Sequence, residues 1–278
     1  MPEMPEVQAH AERLTEDFGG DELRGFRPLT FTALKTFAPA PDDAYGHPLL
    51  EVGRRGKYLL MRFEPVTFVV HLMQGGRLKV DEKQAAKPRG GQARWTFADG
   101  RALLLTEAGT ERKAGVWVVE GDPEAREPLD HLGPEADTLD RDTLARLLVE
   151  HPMRLHGWLR DQRIVAGLGR RLANEICHRA KLSPFAATAK LDAGAIDRLQ
   201  AAVGACVAES LAYERTRSDM SSSADRPGAV HHKEGEACPV CGDTVRAVEY
   251  RSYTVNYCPT CQTGGKVLAD NTTSKFLK

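Results

Sequence analysis

The residues that follow Met1 could do covalent chemistry. The chain begins Met-Pro-Glu-Met-Pro-Glu-Val, and a small second residue usually allows removal of the initiator methionine, which would leave a free secondary amine on Pro2. An α-amine has a pKa near ~7.7, so a useful fraction is unprotonated and nucleophilic at neutral pH. The carboxylate of Glu3 could move protons beside it. Such a pair suits attack on an aldehyde-like sugar carbon and formation of a Schiff base, whereas Pro5 and Glu6 are typical of the first turn of a helix.

Four of the six cysteines form two CxxC pairs. Sixteen residues separate the pair Cys238 and Cys241 from the pair Cys258 and Cys261. Each pair can place two thiolates on one side of a tight turn, and two such turns can hold one Zn²⁺ in a tetrahedral site. A single CxxC could instead be a redox pair, but the doubled pattern predicts zinc. Because four protein ligands leave no open position, the predicted zinc is structural, and the alternating residues 245–257 predict a β-hairpin between the pairs.

Short apolar runs predict that the first half of the chain is rich in strands. The Asp99-Gly100 pair between two of these runs is a strong hairpin signal. Val7, Ala11 and Leu14 recur at helical spacing and predict one helix before the strands. Together these features indicate a β-sandwich or barrel with a leading helix. The predicted strands cover residues 58–63, 67–72, 77–80, 93–97 and 102–106.

The second half has a helical pattern rich in Leu, Ala and Arg, interrupted at residues 166–169 and 183–184. Cys177 and Cys206 lie within this pattern and are predicted to be buried apolar side chains. A polar, glycine-containing stretch follows and is predicted to be a mobile loop. The predicted α+β protein therefore divides into a sandwich (1–120), an acidic linker (121–137), a helical domain (138–217), a flexible loop (218–235) and a zinc finger (236–278).

The overall composition describes an ordinary globular protein of about two domains. The 278 residues carry 38 Lys and Arg against 39 Asp and Glu, and a net charge of -1 argues, taken alone, against nucleic-acid binding. That total averages two opposed regions, because residues 154–190 carry eight basic and two acidic side chains, whereas residues 120–150 carry three basic and ten acidic ones. Phosphate binding depends on local charge, so the basic stretch remains a candidate nucleic-acid surface. We expect a cytosolic protein without disulfides, because no apolar run reaches ~18 residues and no signal peptide is recognisable.

Several motifs are spread over nearly the whole chain. They follow one another in the same order as in the formamidopyrimidine-DNA glycosylase / endonuclease VIII family of base-excision repair enzymes, which the chain therefore resembles. Any one of the motifs alone would be weak, but their order and spacing together are specific. They are PEMPEV at residues 2–7, RRGKYLL at 54–60, His71 and Leu72 with Gly76 and Leu78, LRDQ at 159–162, GLG at 167–169, Asn174 with Glu175, and CPTCQ at 258–262.

The resemblance implies a bifunctional DNA glycosylase and abasic-site lyase that removes damaged, chiefly oxidised, bases. It implies a two-domain clamp in which the sandwich is catalytic, the helical domain is a helix-two-turn-helix DNA-binding domain, and DNA lies in the cleft. Pro2 would attack C1′ of the flipped-out nucleotide, Glu3 would act as general acid and base, and Lys57 would bind a phosphate beside the lesion. Glu175 is expected to hold its own motif together and not to be catalytic.

The partner implied by the resemblance is double-stranded DNA containing damaged bases or abasic sites, bound by a monomer in the bacterial cytosol or nucleoid. No membrane partner is expected, and the cofactor is one structural Zn²⁺ held by the four paired cysteines. The DNA-contacting residues that match family positions, or stand near them, are Arg54, Arg55, His71, Gln74, Arg112, Lys113, Arg170, Arg171, Arg251 and Tyr253.

Some positions depart from the family pattern. Arg170 stands where the family has an asparagine, and Tyr253 stands where the hairpin arginine is expected, with Arg251 two residues earlier. Gln74 replaces a frequent methionine, and Ala114 lies near the position of a wedge phenylalanine. These changes leave alternatives open: a specialised glycosylase for bulky or crosslinked adducts, an enzyme with abasic-site lyase activity only, a non-catalytic lesion-binding protein, or an unrelated zinc-ribbon protein.

Overall fold

The apolar runs in the first half of the chain form a β-sandwich in the structure, which is a computed structural model. Residues 1–109, 111–222, 225–250 and 253–268 are described. The chain folds as two units, of which the first comprises Met1–His131 with Glu214–Ser221 and the second comprises Leu132–Tyr213 with Ser222–Lys278. The predicted α+β fold, with a sandwich, a helical part and a cysteine-bearing hairpin, is confirmed.

Within the described residues, the first unit contains two four-stranded antiparallel sheets. In spatial order, one sheet consists of β1 (Leu23–Pro28), β6 (Gly91–Phe97), β7 (Ala102–Glu107) and β5 (Gly76–Val80). The other consists of β2 (Glu51–Arg55), β3 (Tyr58–Arg62), β4 (Val66–His71) and β8 (Gly115–Glu120).

Buried aromatic rings join the two sheets. The ring of Trp95 on β6 lies 5.0 Å from that of Phe26 on β1 and 5.9 Å from that of Phe68 on β4, measured between centroids. Phe26 and Phe68 are themselves 5.2 Å apart. Because burial of one such side chain contributes roughly 2 to 3 kcal/mol, this cluster is a main source of cohesion between the sheets.

The helix α1 (Met4–Phe18) precedes the strands and packs against β2 and β3. Val7, Ala11 and Leu14 are buried, as their helical spacing predicts. At the end of α1, the ring of Phe18 lies 5.0 Å from that of Phe97 on β6. The helix therefore shares the core of the sandwich.

All five predicted strands occur, as β3 to β7, and the turn containing Asp99 and Gly100 connects β6 to β7 with a φ of 88° at Gly100. A positive φ is readily available to glycine, which explains why this pair signals a hairpin. The apolar runs did not predict β1, β2 or β8.

The second unit is mainly helical. Its helices are α2 (Arg141–Glu150), α3 (Leu155–Arg160), α4 (Arg170–Arg179) and α5 (Ala193–Arg215), followed by the hairpin strands β9 (Arg246–Glu249) and β10 (Thr254–Tyr257) and the short helix α6 (Pro259–Thr263). The predicted burial of Cys177 and Cys206 is confirmed, and burial raises the pKa of the Cys206 thiol to about 12. Across the described ranges, no helix combines the length and apolar character needed to cross a membrane.

A short segment, Glu214–Ser221, returns to the first unit after α5. Met220 packs into the core of the sandwich. The buried carboxylate of Glu214 accepts a hydrogen bond from the backbone N–H of Ser221 at 3.2 Å, and Arg13 of α1 donates to the carbonyl oxygen of Glu214 at 3.1 Å. The beginning of the stretch predicted to be a mobile loop is therefore held by packing and hydrogen bonds.

Substitution of Gly76, at the start of β5, tests how tightly the turn after β4 is packed. A Cβ atom at Gly76 would lie 2.0 Å from the carbonyl oxygen of Leu72, which is backbone and cannot move aside cheaply. We expect Gly76→Ala to lower the free energy of unfolding by about 3 kcal/mol. Gly53→Ala is the matched control, because its Cβ would meet only the Leu60 Cβ at 3.9 Å, and its effect should stay within about 1 kcal/mol. Urea unfolding followed by tryptophan fluorescence measures both, and equal effects would contradict this packing.

Candidate active site and metal centre

Two hydrogen bonds fix the direction of α1 relative to β2. The hydroxyl of Thr15 accepts a hydrogen bond from the backbone N–H of Val52 at 2.8 Å, and Arg54 donates from Nε to the Oε1 of Gln8 at 3.2 Å. Later residues of β2 therefore meet earlier residues of α1, so the two elements run antiparallel. This register directs the N-terminal end of α1 toward the turn between β2 and β3, which contains Lys57.

The first turn of α1 is closed by a reciprocal capping box. Glu3 is the N-cap residue, and its backbone N–H donates to the Oε2 of Glu6 at 2.6 Å, while the Glu3 side chain accepts from the Glu6 backbone. Glu6 is fully buried and Glu3 is only 3% exposed. The capping box satisfies two backbone donors of the first turn and holds the backbone of Glu3 in one position. Pro5 lies in this first turn, as predicted.

Pro2, Glu3 and Lys57 are all buried. Lys57 is 5% exposed, and lysine is almost never buried to this extent unless it is paired. Once Met1 is removed, residue 2 carries an amine that can attack an electrophilic carbon, while the carboxylate of residue 3 can transfer a proton and the ammonium on the neighbouring turn can bind an anion.

His71 lies next to this turn, because β3 pairs with β4 so that Tyr58 is opposite His71. The two rings are 4.5 Å apart. Burial, with a smaller contribution from the Lys57 ammonium, lowers the pKa of His71 to about 4, so the imidazole is neutral at pH 7. Its Nδ1 accepts a hydrogen bond from the backbone N–H of Met73 at 3.1 Å, which leaves the ring proton on Nε2. Gln74 follows on the exposed part of the same turn.

Arg54 and Arg55 are joined to neighbouring parts of the first unit. Besides its bond to Gln8, Arg54 donates to the carbonyl oxygen of Gly56 at 3.1 Å. Arg55 donates from Nε to the carboxylate of Glu124 at 2.7 Å, and its side chain is only 12% exposed. Both arginines therefore contribute to the structure around Lys57 in addition to any role with a ligand.

The connection between β7 and β8 carries Arg112 and Lys113, which are exposed. Lys113 pairs with Glu111 at 2.8 Å. The next residue, Ala114, is buried at 1% exposure and donates its backbone N–H to the carboxylate of Glu107 at 2.6 Å. A buried alanine has no side chain to insert between bases, so the candidate side chains of this connection are the two basic ones.

In the second unit, the Gly-Leu-Gly turn before α4 is organised by Gln162. Its Nε2 donates to the carbonyl oxygen of Leu168 at 2.8 Å, and its Oε1 accepts from the backbone N–H of Gly167 at 3.0 Å. Gly167 has a φ of 97°, a conformation that disfavours any other residue. The sequence motif predicted the turn, but the role of Gln162 emerges only from these contacts.

The arginines at the start of α4 differ in accessibility. Arg170 is half-buried at the first position of the helix. Arg171 is 6% exposed and donates to the hydroxyl of Ser210 on α5 at 3.0 Å. Successive residues on a helix point about 100° apart, which explains why the neighbours face different surroundings. Of the two, Arg170 is the better candidate for a ligand contact.

Glu175 on α4 holds the chain that leads to the cysteines. Its carboxylate accepts hydrogen bonds from the backbone N–H groups of Ala229, Val230 and His231 at 2.7, 3.1 and 2.8 Å. Three such donors satisfy a buried carboxylate. The predicted internal, structural role of Glu175 is therefore supported by direct contacts.

The two CxxC pairs converge in the second unit. The Sγ atoms of Cys238 and Cys261 are 3.9 Å apart, and those of Cys241 and Cys258 are 3.3 Å apart. These distances are near the ~3.8 Å edge of a tetrahedron of sulfur atoms about 2.3 Å from a central zinc ion. Asp243 joins the two turns by accepting from the backbone and hydroxyl of Thr260 at 3.2 and 2.9 Å. The donor set therefore fits a structural metal ion.

A histidine that the spacing of the cysteines did not predict also reaches this centre. His178, on α4, places its Nε2 3.3 Å from the Sγ of Cys238. Its ligand atom lies within 4.8 Å of those of Cys238, Cys258 and Cys261. His178 is sixty residues from Cys238, the nearest of the four paired cysteines in sequence, so their spacing could not have identified it.

The predicted hairpin between the pairs is present as β9 and β10. Tyr253, at its turn, is half-buried and stacks on Tyr250 with 4.6 Å between ring centroids. Arg251, a predicted DNA contact, lies outside the described residues.

Comparison with known proteins agrees with these features. The formamidopyrimidine-DNA glycosylase N-terminal domain profile matches residues 1–117. A formamidopyrimidine-DNA glycosylase of Alkalilimnicola ehrlichii is 32% identical over 94% of this chain and 100% of its own length. The chain belongs to the formamidopyrimidine-DNA glycosylase family. A formamidopyrimidine-DNA glycosylase-like protein of Mycobacterium tuberculosis is 40% identical over 53% of this chain and 94% of its own length.

Solved structures of formamidopyrimidine-DNA glycosylases share the fold. The MutM (Fpg) protein of Thermus thermophilus is 29% identical and covers 96% of this chain and 100% of its own, with a TM-score of 0.81. The Lactococcus lactis enzyme, solved in a non-covalent complex with DNA containing an abasic site, is 21% identical and has a TM-score of 0.82 over 94% of this chain and 99% of its own. At that identity the second likeness supports the fold alone.

Two substitutions at the metal centre distinguish a ligand from a neighbour. We expect Cys241→Ser to lose most of the bound metal, because the doubled CxxC pattern predicts Cys241 as one of four sulfur ligands. We expect His178→Phe to keep one divalent ion per chain with about ten-fold weaker affinity, because the predicted ligands are the four cysteines and His178 contacts one of them, Cys238. Metal analysis and competition with a chelator measure both effects. A Co²⁺ spectrum that shows nitrogen ligation in the wild type and loses it in His178→Phe would instead make His178 a ligand.

Proposed function

We propose that this protein is a bifunctional DNA glycosylase and abasic-site lyase that acts through the amine of Pro2. The observation that carries the proposal is the burial of Pro2 and Glu3 at the capped start of α1, which is directed toward the Lys57 turn, in a chain of the formamidopyrimidine-DNA glycosylase family. A binding protein without catalytic activity has no need of a nucleophile held in this way. Base removal and strand cleavage are therefore the activities to test.

In the proposed reaction, the nitrogen of Pro2 forms a bond to C1′ of the damaged nucleotide as the bond from C1′ to the base breaks. The base leaves with the electron pair of that bond and is protonated. The bond from C1′ to the ring oxygen then breaks as Glu3 delivers a proton to that oxygen, which opens the sugar ring. The cation that forms between Pro2 and C1′ is an iminium ion, which acidifies the adjacent C–H bond and allows elimination of the 3′ and then the 5′ phosphate. Water finally releases Pro2.

The remaining candidate residues have proposed roles in holding DNA. The Lys57 ammonium binds a phosphate beside the lesion, and the first turn of α4, with Arg170 beside the Gly167 turn, binds another. Arg54 and Arg55 support the Lys57 turn, and the neutral His71 can donate from Nε2. Gln74, Arg112, Lys113, Arg251 and Tyr253 are further proposed contacts. Arg171 is left out of this contact set because its guanidinium is buried.

We further propose that the metal is a single structural Zn²⁺ held by Cys238, Cys241, Cys258 and Cys261. When bound, zinc supplies folding energy to its own small hairpin and takes no part in the reaction. The protein is proposed to act as a monomer in the bacterial cytosol or nucleoid, in keeping with its bacterial relatives. The domain limits predicted from the sequence remain proposals alongside these.

A related function is favoured by the connection between β7 and β8. Ala114 is buried and offers no wedge, and Gln74 is the exposed residue of the neighbouring turn. An enzyme that fills the gap left by a flipped base less completely could accept bulkier lesions. The second candidate is therefore a glycosylase specialised for bulky or crosslinked adducts, distinguished by a panel of duplexes carrying oxidised, ring-opened and large alkylated bases.

Borohydride trapping on DNA with an abasic site tests the Pro2 chemistry. Reduction of the iminium ion should join the protein covalently to DNA. A non-cleavable N-terminal tag blocks the amine and should reduce trapping by at least about 100-fold, whereas the same tag at the C-terminal end should not. Gel electrophoresis of the adduct, with mass spectrometry of the modified peptide, measures the result. If the wild-type protein forms no adduct, the catalytic proposal is wrong.

Substitution of Glu6 tests whether the capping box positions this chemistry. Glu6→Gln removes the charge that accepts the Glu3 N–H, so Glu3 should be held less firmly, and the rate of trapping should fall about ten-fold. Glu12→Gln is the control on the same helix, because Glu12 pairs with Arg215 at 2.7 Å between partly exposed side chains. Trapping by the Glu12 variant should match the wild type. Equal rates for the two variants at equal thermal stability would contradict the positioning role.

A further inference from the structure

The hairpin of the metal centre carries a stack of aromatic rings. Tyr250, after β9, and Tyr253, before β10, are nearly parallel, with 11° between ring planes and 4.6 Å between centroids. The ring of His156 on α3 is also nearly parallel to Tyr253, at 6.1 Å, and Phe185 lies 6.5 Å from Tyr250. These ring contacts therefore join the hairpin to α3 and to the loop after α4.

One guanidinium group lies on this stack. The Cζ of Arg160, the last residue of α3, is 4.3 Å from the centroid of the Tyr253 ring. An arginine over an aromatic face is held in place by attraction to the π electrons, while the N–H groups at its edge can still bind a planar anion through two hydrogen bonds. Arg160 is half-buried, so less side-chain freedom remains to be lost when it binds.

Two neighbouring arginines, Arg154 and Arg163, make contacts of other kinds. Arg154 donates to the carbonyl oxygen of Phe185 at 2.9 Å, at the other end of the stack. Arg163 is 74% exposed, but its guanidinium pairs with the carboxylate of Asp161 at 2.7 Å. Residues 154–190 carry eight basic and two acidic side chains, and within this stretch Arg160 lies over the ring of Tyr253.

We propose that Arg160, supported by Tyr253, is a phosphate-binding residue of this protein and that its ligand is a phosphodiester of duplex DNA. In this proposal the positive charge at the hairpin surface is the guanidinium of Arg160 on α3, and the ring of Tyr253 positions it. Because the inference rests on the proposed function in DNA repair, its test must separate loss of this contact from failure of that function.

Binding to a duplex with a stable abasic-site analogue, measured by fluorescence anisotropy at several salt concentrations, tests the contact. Arg160→Ala should weaken binding roughly ten-fold and reduce the slope of log affinity against log salt by about 0.9, the value for one phosphate. Arg160→Lys should keep the slope but bind more weakly than the wild type, because an ammonium neither forms a bidentate pair nor stacks as a plane. Arg163→Ala is the matched control and should leave both quantities unchanged.

Metal content and circular dichroism of each variant establish that the hairpin is intact. An Arg160→Ala protein that is folded, holds its metal and binds with the wild-type salt slope would overturn the proposal. So would equal losses in the Arg160 and Arg163 variants. Borohydride trapping is measured separately, on the wild-type protein. If the wild type forms an adduct but Arg160→Ala keeps the wild-type salt slope, only the Arg160 contact is rejected. If the wild type forms no adduct, the catalytic function is rejected, whatever the result for Arg160.

Discussion

Burial of the first residues of the chain is the constraint on which the candidate active site depends. A nucleophile at a chain terminus is held by the polypeptide on one side only, so its position must come from the helix that follows. Here α1 is fixed along β2 by its bonds to Val52 and Arg54, and its first turn is closed by Glu3 and Glu6. Burying two carboxylates is costly unless they are hydrogen-bonded, and the capping box supplies such bonds.

Five strands of the sandwich could be predicted from apolar runs, whereas the polar strands β1 and β2 could not, and the apolar strand β8 (Gly115–Glu120) was missed. The runs that became β3 to β7 face the core on one or both sides, so the sequence carries their pattern. The strand β2 reads Glu-Val-Gly-Arg-Arg, and β1 reads Leu-Arg-Gly-Phe-Arg-Pro. Their conformation comes from hydrogen bonds to β3 and β6, which lie elsewhere in the chain. Local composition cannot report such pairing.

The candidate sites show the same division between local and distant information. The start at Pro2 and the two CxxC pairs are short patterns, so they could be read directly. His178 reaches Cys238, and Arg160 reaches Tyr253 of the hairpin, from helices that are remote in sequence, and only folding brings these residues close. Arg171 looked equivalent to Arg170 by sequence, but the rotation of the helix turns its side chain inward to Ser210. Side-chain direction is therefore what the sequence left undetermined.

The return of Glu214–Ser221 to the first unit makes that unit discontinuous in the gene. The polypeptide passes between the two units three times, and Met220 completes a core whose other residues come from the first half of the chain. A fragment ending near residue 131 would therefore lack part of its own interior. Truncation or recombination at that boundary would expose apolar surface, so the two units are expected to be inherited together and not exchanged as separate modules.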